Sequence, residues 1–449
     1  MTSTKFAYRA TLALIWALAL YHSWACRGLF VDGSGFLIQI VKREWFFDFY
    51  PPRLYAMLVA QVPILIGVKA GSTDLHLLAQ LLSFGLFGLP TAVYSIALWR
   101  ARDEPVLLAA VIAAIGIVFL TTSFFIIGEY NSAYAIAILT AVVLARAERL
   151  RLGDALLLLP VAVLAIRTYE AMIYLGPLLA SMALWTLWRA RERPWLVACL
   201  YLVCALCFLL GMAVAIDSVV HTWSESHLDE TYDTAKNFWQ NMQFDLALGG
   251  ALVVVAWGLL RPDDLAGSKP YRWAGIALLL LALSPLLAIG DTLVRPHAKS
   301  QYVARTAGGL VIVSIVIFIW FYGSASFHRL KALVVLRQPP NGRRFLLFAC
   351  LILAANLPSD IFLTSTWVSY LSALRQVVTS NSGVVAFEDT SLSRHPHVLL
   401  VENWALPSQS VAVRSHRGNA VVAPPRGFKD WMPFTPDDPP DVGRFGWRD

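Results

Sequence analysis

Asp32 is a candidate general base, because a carboxylate held among apolar residues at a membrane surface loses part of its hydration. It stands in the segment Leu29-Phe30-Val31-Asp32-Gly33, a few residues after the first long apolar run. In that position it could remove the proton from an acceptor hydroxyl. The alternative is an ordinary loop aspartate before a glycine turn.

Glu129 is a second candidate acid, in the short turn Gly128-Glu129-Tyr130-Asn131 between two apolar runs. A carboxylate facing the same cavity as Asp32 could orient an acceptor or help to bind a divalent cation. The alternative is that Glu129 caps the following helix. The chain has no His or Cys spacing typical of a metal site, so these residues predict no metal ligands and require no cofactor.

Arg167, Tyr169 and Glu170 interrupt a long apolar stretch and form a third candidate group. Arg167 and Glu170 lie three positions apart, which on a helix allows an ion pair. The functional alternative is that Arg167 or Tyr169 faces a cavity and contacts a phosphate or a sugar. Burying polar side chains in a membrane costs free energy, so polar residues within a membrane segment usually have a functional role.

A fourth group consists of the cations Arg295, His297, Lys299 and Arg305, close together in a segment expected on the outer face. Cations on that face run against the usual bias of membrane proteins, so something should compensate them. An anionic lipid phosphate would do so. The alternative is pairing with the acids of the loop 217–243, which are Asp217, Glu225, Asp229, Glu230 and Asp233.

The composition decides what kind of protein must position these residues. The 449 residues are 58% hydrophobic and 14% charged, with a mean hydropathy of +0.61, whereas about a quarter of the residues in a soluble domain are charged. A membrane protein with many spans is therefore predicted, and single-pass anchors, secreted soluble enzymes and disordered chains are excluded. The net charge of +7 comes from short basic segments between apolar runs, a pattern typical of cytoplasmic loops rather than of nucleic-acid binding.

About 20 mostly apolar residues are needed for each spanning helix. Suitable windows lie near 8–26, 76–99, 105–127, 131–146, 153–188, 195–216, 244–260, 273–290, 305–323 and 344–360. The window 153–188 is too long for one crossing and is divided at residues 167–170, which gives about eleven helices. The first window lacks a typical cleavage site and is read as a retained span.

The basic loops predict the orientation of these helices. If the loops containing Arg100, Arg146, Arg189, Arg261 and Arg337 are cytoplasmic, the N-terminus is cytoplasmic only when the apolar run 54–68 does not cross. That run is then an interfacial or re-entrant helix in an outer juxtamembrane loop, 27–75, next to the amphipathic stretch 36–49. We therefore predict a transmembrane domain over 1–360 in a bacterial-type inner membrane, with a second outer loop at 217–243.

The segment 361–449 changes character, with short valine-rich runs at 397–401 and 410–413 and many prolines near its end. It is predicted to be a small extracytoplasmic appendage of α/β or β type. Its last stretch, 436–449, is predicted to be irregular.

The order of these features resembles the GT-C superfamily of membrane glycosyltransferases, which includes protein mannosyltransferases and lipid A aminoarabinose transferases. The outer acid Asp32 after the first span is followed by Pro51-Pro52-Arg53-Leu54-Tyr55, similar to the Pro-Pro-Leu-Tyr segments of the juxtamembrane helices in that family. The basic turn Trp99-Arg100-Ala101-Arg102 and the later acidic turn at Glu129 complete the pattern. The resemblance covers about the first 190 residues well and the remainder only as a general layout.

This resemblance implies a polytopic all-α fold and transfer of a sugar from a polyprenyl-phosphate donor to a cell-envelope acceptor on the outer face, with inversion. Asp32 would be the catalytic acid–base residue and Glu129 a supporting acid, whereas Gly33 replaces the second acid that many members have after the first. Arg53, Arg167 and Tyr169, together with the cations at 295–305, would bind the substrate. The donor and membrane lipids are the implied partners, and no nucleic acid is.

Two other classes of function are compatible with the sequence. One is a non-enzymatic transporter or flippase component of envelope polymer export, although transporters tend to carry their ionisable groups near the midplane and in repeated halves. The other is an inactive transferase-like scaffold, which the missing second acid permits.

The predicted topology can be tested with reporter fusions. A fusion at Gly71 should report an extracytoplasmic location and a fusion at Asp103 a cytoplasmic one, because the run 54–68 is expected to return to the face from which it came. A cytoplasmic signal at Gly71 would contradict the interfacial assignment.

Overall fold

The protein is described by a computed structural model, which covers residues 2–147, 150–190, 194–222, 225–261, 269–283, 298–323, 331–394, 403–416 and 418–426. These residues are predominantly α-helical, as predicted for an all-α membrane protein. The helices, in chain order, are α1 Thr2–Trp24, α2 Gly33–Arg43, α3 Leu54–Lys69, α4 Leu75–Ala101, α5 Pro105–Ala114, α6 Leu120–Thr122, α7 Tyr130–Ala145, α8 Leu152–Ala165, α9 Met172–Arg189, α10 Trp195–Thr222, α11 Glu225–Lys236, α12 Met242–Leu260, α13 Lys269–Leu283, α14 Ala298–Val303, α15 Arg305–Gly323, α16 Lys331–Arg337, α17 Pro339–Ser380 and α18 Leu406–Val413.

Six helical segments of the described chain are long and apolar enough to cross a membrane. They are Pro51–Lys69, Leu75–Ala101, Pro105–Ile127, Trp195–His221, Arg305–Gly323 and Pro339–Ser380. Shorter apolar helices add Tyr130–Ala145, Leu152–Ala165, Met242–Gly258 and Tyr271–Leu283. The division of the window 153–188 is confirmed, because α8 ends at Ala165 and α9 begins at Met172.

The bundle has two chemically different ends. At one end the loop 26–32, the Glu129 turn and the turn 167–170 lie together, and we call this the site end. At the other end Arg100 pairs with Asp154, and a guanidinium N–H of Arg146 donates to the carbonyl of Arg100. We call this the arginine-rich end.

Both ends of α3 lie in the site-end half of the bundle. At its start, the backbone N–H of Tyr55 donates to the carbonyl of Arg167 (3.0 Å). Near its end, Gly67 packs against Leu78 and Leu81 in the first two turns of α4. The helix therefore does not extend to the arginine-rich end. Its length and apolar composition would allow it to cross a membrane, so the non-crossing assignment stays a prediction. Its side chains Val59, Val62 and Ile66 are exposed, as expected of a face that contacts lipid.

Gln61, which interrupts the apolar run of α3, has a structural role. Its side-chain amide accepts from the N–H of Phe47 (2.8 Å) and donates to the carbonyl of Phe47 (2.9 Å). This reciprocal pair satisfies both backbone groups of an irregular segment that follows α2. The amphipathic stretch 36–49 is accordingly helical only as far as Arg43, where α2 ends.

The centre of the bundle is the contact of α5 and its π-helical continuation Ile115–Phe119 with α17. Gly116 approaches α17 so closely that a Cβ atom there would lie 3.1 Å from the Cα atom of Leu353. The side-chain amide of Asn356 donates to the Gly116 carbonyl (2.8 Å). A π-turn exposes carbonyl groups of its helix, and this amide satisfies one of them within the core.

The domain boundary predicted at residue 361 falls inside α17, which continues without interruption to Ser380. Asp360, the last residue of the predicted window 344–360, is buried within the helix and paired. The hydroxyls beyond it are compatible with the helix since they bond to its own carbonyls, as in Thr364 to Asp360 and Thr366 to Phe362 (both 2.8 Å). With 42 residues, α17 is about 63 Å long, roughly twice the thickness of a bilayer core.

The described part of the C-terminal segment is a small α/β unit at the site end. Strands β1 Val384–Ala386 and β2 Val421–Ala423 pair in parallel, with Val384 opposite Val421. The valine-rich run 410–413, predicted as extended, belongs instead to α18, which is buried on several sides and so does not show the alternation of a half-exposed strand. The run 397–401 and the tail 427–449 lie outside the described residues.

Candidate functional site

The Asp32 loop is held by close backbone packing. The N–H of Gly28 donates to the Ser83 hydroxyl on α4 (2.9 Å). A Cβ atom on Gly33 would lie only 1.6 Å from the Gly28 carbonyl oxygen and 2.4 Å from a methyl group of Ile127. The position after Asp32 therefore accepts only glycine, which explains why this chain has one acid there and not two.

Backbone strain marks the same region. In the described chain, four non-glycine residues have a positive φ, which are Cys26 (51°), Val31 (56°), Glu44 (52°) and Glu129 (44°). A β-branched residue such as Val31 rarely adopts this conformation, which costs roughly 1–3 kcal/mol. Val31 directly precedes Asp32, and Glu129 is the other candidate acid, so two of these four positive-φ residues lie at the predicted site.

Glu129 occupies the N-cap position of α7, but its side chain makes no capping hydrogen bond. Its carboxylate faces Arg53, whose Nη1 atom lies 3.4 Å from Oε2 of Glu129. The side chain of Glu129 therefore does not cap α7.

Arg53 is the centre of the site. Its Nε atom lies 3.1 Å from both carboxylate oxygens of Glu170, and its Nη2 atom lies 3.1 Å from one of them. The guanidinium group is flanked by the rings of Tyr50 and Tyr169, with centroids at 4.8 and 4.9 Å. One cation thus joins the start of α3 to the two turns that carry Glu129 and Glu170.

The two acids that share Arg53 are not equivalent. Glu170 takes most of the guanidinium contacts, and Glu129 has one longer contact. Burial raises the pKa of Glu129 to about 8, with Arg53 opposing the shift and the negative charges of Glu170 and Asp32 adding to it. The Asp32 loop and the Glu129 turn are neighbours, because Gly33 packs against Ile127, two residues before Glu129.

Arg305 supplies a second cation next to this group. Its guanidinium carbon lies 3.7 Å from the ring centroid of Tyr302, and its carbonyl accepts from the Tyr134 hydroxyl (2.9 Å). The helix α14, which precedes Arg305, is held on the Glu129 side of the site. There the Gln301 side chain accepts a hydrogen bond from the N–H of Phe124 (2.8 Å). A row of tyrosine rings links Arg305 to the Arg53 group, because the ring of Tyr130 lies 5.8 Å from that of Tyr134 and 5.7 Å from that of Tyr169.

The structure brings together five of the residues predicted from sequence, which are Asp32, Arg53, Glu129, Tyr169 and Arg305. Arg167 lies beside them, with its guanidinium carbon 6.0 Å from the ring of Tyr55. The ion pair considered between Arg167 and Glu170 is replaced by the pair of Glu170 with Arg53.

Three further predicted residues remain undescribed. Arg295 and His297 lie outside the described residues, and of Lys299, at the start of α14, only the backbone is described.

A second charged group lies beneath the Asp32 loop and was not anticipated. Asp360 of α17 is 2.7 Å from Nε2 of His22 and 3.0 Å from Nη1 of Arg27, and Arg27 also donates to the Thr364 hydroxyl (3.1 Å). The side chains of Arg27 and Asp360 are 0% and 1% exposed, so the ions are fully desolvated. The rings of Phe124 and Phe87 flank the guanidinium group, with centroids at 4.5 and 5.1 Å.

Two sets of contacts hold the Asp32 loop, one from this buried group and one from the C-terminal unit. Arg27 itself belongs to the loop, and the indole of Trp367 donates to the carbonyl of Cys26 (3.3 Å). From the C-terminal unit, the hydroxyls of Ser408 and Ser34 lie 2.6 Å apart. The group therefore positions the strained loop that presents Asp32. The sequence does contain a signal for this group. Asp360 stands among apolar residues, and a carboxylate buried there needs a cation as its partner.

We expect Asp360→Asn to destabilise the protein by about 3–5 kcal/mol, because Arg27 is left as an uncompensated buried charge. The free energy of unfolding in mixed micelles measures this loss. The matched control is Asp389→Asn, an exposed acid of the C-terminal unit, which should change stability by less than about 0.5 kcal/mol.

Combining Arg27→Met with Asp360→Leu should recover part of the lost stability, because both buried charges are then removed. Wild-type stability of Asp360→Asn would show that the pair does not hold the loop.

Among the described residues, no three His, Cys, Asp or Glu side chains come together as a group that could hold a metal ion. No protein-family model matches this chain, and no similar curated protein or solved structure is found.

Proposed function

We propose that the protein is an inverting membrane glycosyltransferase of the GT-C type, which uses a polyprenyl-phosphate sugar as donor. The observation that carries this proposal is the convergence of Asp32 with the Glu129–Arg53–Glu170 group and Arg305 at one end of the bundle. A base, cations for a phosphate and flanking aromatic rings are the groups that such a transfer requires.

The orientation we propose places the arginine-rich end in the cytoplasm and the site end on the outer face, since basic loops are retained on the cytoplasmic side. Eleven helical passes then cross the membrane, and α3 lies in the outer leaflet. The passes are α1, α4, the α5–α6 segment, α7, α8, α9, α10, α12, α13, α15 and α17.

In the proposed reaction an acceptor hydroxyl attacks the anomeric carbon of the donor sugar. The new glycosidic bond forms as the bond from the anomeric carbon to the phosphate oxygen breaks, with its electron pair passing to the phosphate. Asp32 accepts the hydroxyl proton and becomes a neutral acid. Attack from the side opposite the leaving group inverts the anomeric centre.

The leaving polyprenyl phosphate gains a negative charge, and Arg305 is the residue best placed to stabilise it. It lies at the start of α15, beside the tyrosine rings of the site, and no carboxylate of the described residues forms a salt bridge with it. Tyr169 offers a ring against which a sugar could stack and a hydroxyl that could bond to it.

Arg53 and its two acids act mainly as positioning residues in this proposal. Because Arg53 is held by Glu170, it neutralises that buried carboxylate and fixes the turns on both sides of the cavity. Glu129 shapes the local charge through its raised pKa rather than by direct proton transfer. This assigns to Glu129 the supporting role that the family pattern implies.

Asp32→Asn should lower glycosyl transfer by about 10²–10⁴-fold, the usual contribution of a general base. The test uses a strain that lacks the protein and complements it with each variant, while mass spectrometry measures the lipid-linked sugar that accumulates. Asp48→Asn is the control, because Asp48 lies in the same juxtamembrane loop but is exposed.

Accumulation with Asp32→Asn but not with Asp48→Asn, at equal protein abundance, is the expected result. Full complementation by Asp32→Asn would eliminate Asp32 as the base. If the strain without the protein accumulates no lipid-linked sugar, the proposed reaction class is wrong.

The raised pKa of Glu129 predicts a pH dependence of donor binding. Below about pH 8 the side chain is protonated and neutral, and above it the carboxylate adds a negative charge next to the phosphate-binding cations. Affinity for polyprenyl phosphate should therefore fall by roughly five- to tenfold from pH 7 to pH 9, as expected for one charge about 10 Å away at an effective dielectric near 20.

Binding of polyprenyl phosphate to the protein in nanodiscs measures this effect. Glu129→Gln is neutral at both pH values, so its affinity should stay constant over the same range. An equal decline in the wild type and in Glu129→Gln would assign the titration to another group.

A further inference from the structure

A cavity of about 730 Å³ lies at the arginine-rich end of the bundle, away from the proposed transfer site. Helix α7 runs between the two ends, and its 16 residues separate them by about 24 Å. Five arginines and three acids line the cavity, which are Arg100, Arg102, Arg146, Arg151, Arg337, Asp103, Glu104 and Asp154. The lining therefore has an excess of positive charge.

The three acids are already engaged. Asp154 pairs with Arg100, and Asp103 lies 3.6 Å from Arg102. Glu104 accepts a hydrogen bond from the hydroxyl of Tyr322 (2.8 Å). No acid of the described lining is left to neutralise the remaining cations.

The remaining cations are Arg146, Arg151 and Arg337, and none forms a salt bridge with a carboxylate of the described residues. Arg146 and Arg337 each donate one N–H to a backbone carbonyl, of Arg100 and Tyr322 respectively. These bonds fix the two guanidinium groups at the wall of the cavity and leave their other donors for a ligand. Guanidinium groups bind phosphate oxygens through paired N–H donors.

Trp99 forms part of the wall of the cavity. Its ring is partly exposed and lies beneath Arg100 and Arg102, with their guanidinium carbons 5.6 and 5.3 Å from the ring centroid. Tryptophan and arginine side by side are typical of the level of the lipid headgroups. A basic pocket between helices at this level is suited to an anionic headgroup.

We propose that this cavity binds a phosphate group, supplied by the headgroup of an anionic lipid, through Arg146, Arg151 and Arg337. The site does not depend on the glycosyl-transfer proposal, because it lies at the opposite end of the bundle and uses other residues. A bound headgroup would join α7, the start of α8 and the end of α16, and so stabilise the arginine-rich end.

The experiment compares the full-length protein in nanodiscs of phosphatidylcholine alone with nanodiscs that also contain phosphatidylglycerol. After extraction, native mass spectrometry records the phosphatidylglycerol that stays bound. A second arm titrates lipid-free protein in detergent with inorganic phosphate, against potassium chloride of equal ionic strength, and follows the unfolding temperature.

The test variants are Arg151→Gln, an exposed residue, and the double variant Arg146→Gln with Arg151→Gln. The matched control is Arg343→Gln, an exposed arginine of α17 at the same end that does not line the cavity. Each lost arginine should weaken binding by about fivefold, and the pair by about 25-fold. The unfolding temperature without ligand shows whether each variant is folded.

Retention of phosphatidylglycerol by the wild type and Arg343→Gln, with loss in the double variant, supports the proposal. Stabilisation by inorganic phosphate in the same pattern, without lipid retention, also supports a phosphate site and assigns its ligand to the soluble phase. Equal binding by all variants, or no binding by the wild type in either arm, would overturn the proposal.

Discussion

The site depends on the contact of Arg53 with Glu170 and Glu129. These acids lie 117 and 76 residues from Arg53 in the chain, so one guanidinium group connects three distant segments. Two buried carboxylates in adjacent turns would repel each other without a shared cation, and removing one partner from such a group leaves an uncompensated charge. The position of α3 follows from the same contact, because Arg53 fixes its start at the site end.

The strained loop that carries Asp32 needs support of its own, and the buried Arg27–Asp360–His22 group provides it. This group ties the loop to the middle of α17, while α18 covers it from the other side. Strained conformations persist only where the surrounding structure determines them fully. The long α17 therefore has two roles, as a membrane helix and as the element that carries Asp360 and Trp367, which both support the Asp32 loop.

Composition and hydropathy predicted the helical membrane character of the chain and the break at 167–170, because these depend on periodic or additive properties of the chain. The convergence of Asp32, Arg53 and Glu129 was predicted from the order of motifs. The partner of Glu170 and the role of Asp360 were missed, since buried pairs join residues far apart in sequence and no local pattern encodes them. The helical conformation of the run 410–413 was not predicted, because short valine-rich runs fit a strand or a buried helix equally well.

A cryo-electron microscopy structure of the full-length protein in nanodiscs with polyprenyl phosphate tests the central claim most directly. The account predicts phosphate density within hydrogen-bonding distance of Arg305 at the site end, with the Asp32 carboxylate facing the same cavity and Arg53 still bound to Glu170. Phosphate density elsewhere with the site end unoccupied, or a carboxylate of Asp32 turned away from that cavity, would contradict the proposed transfer site.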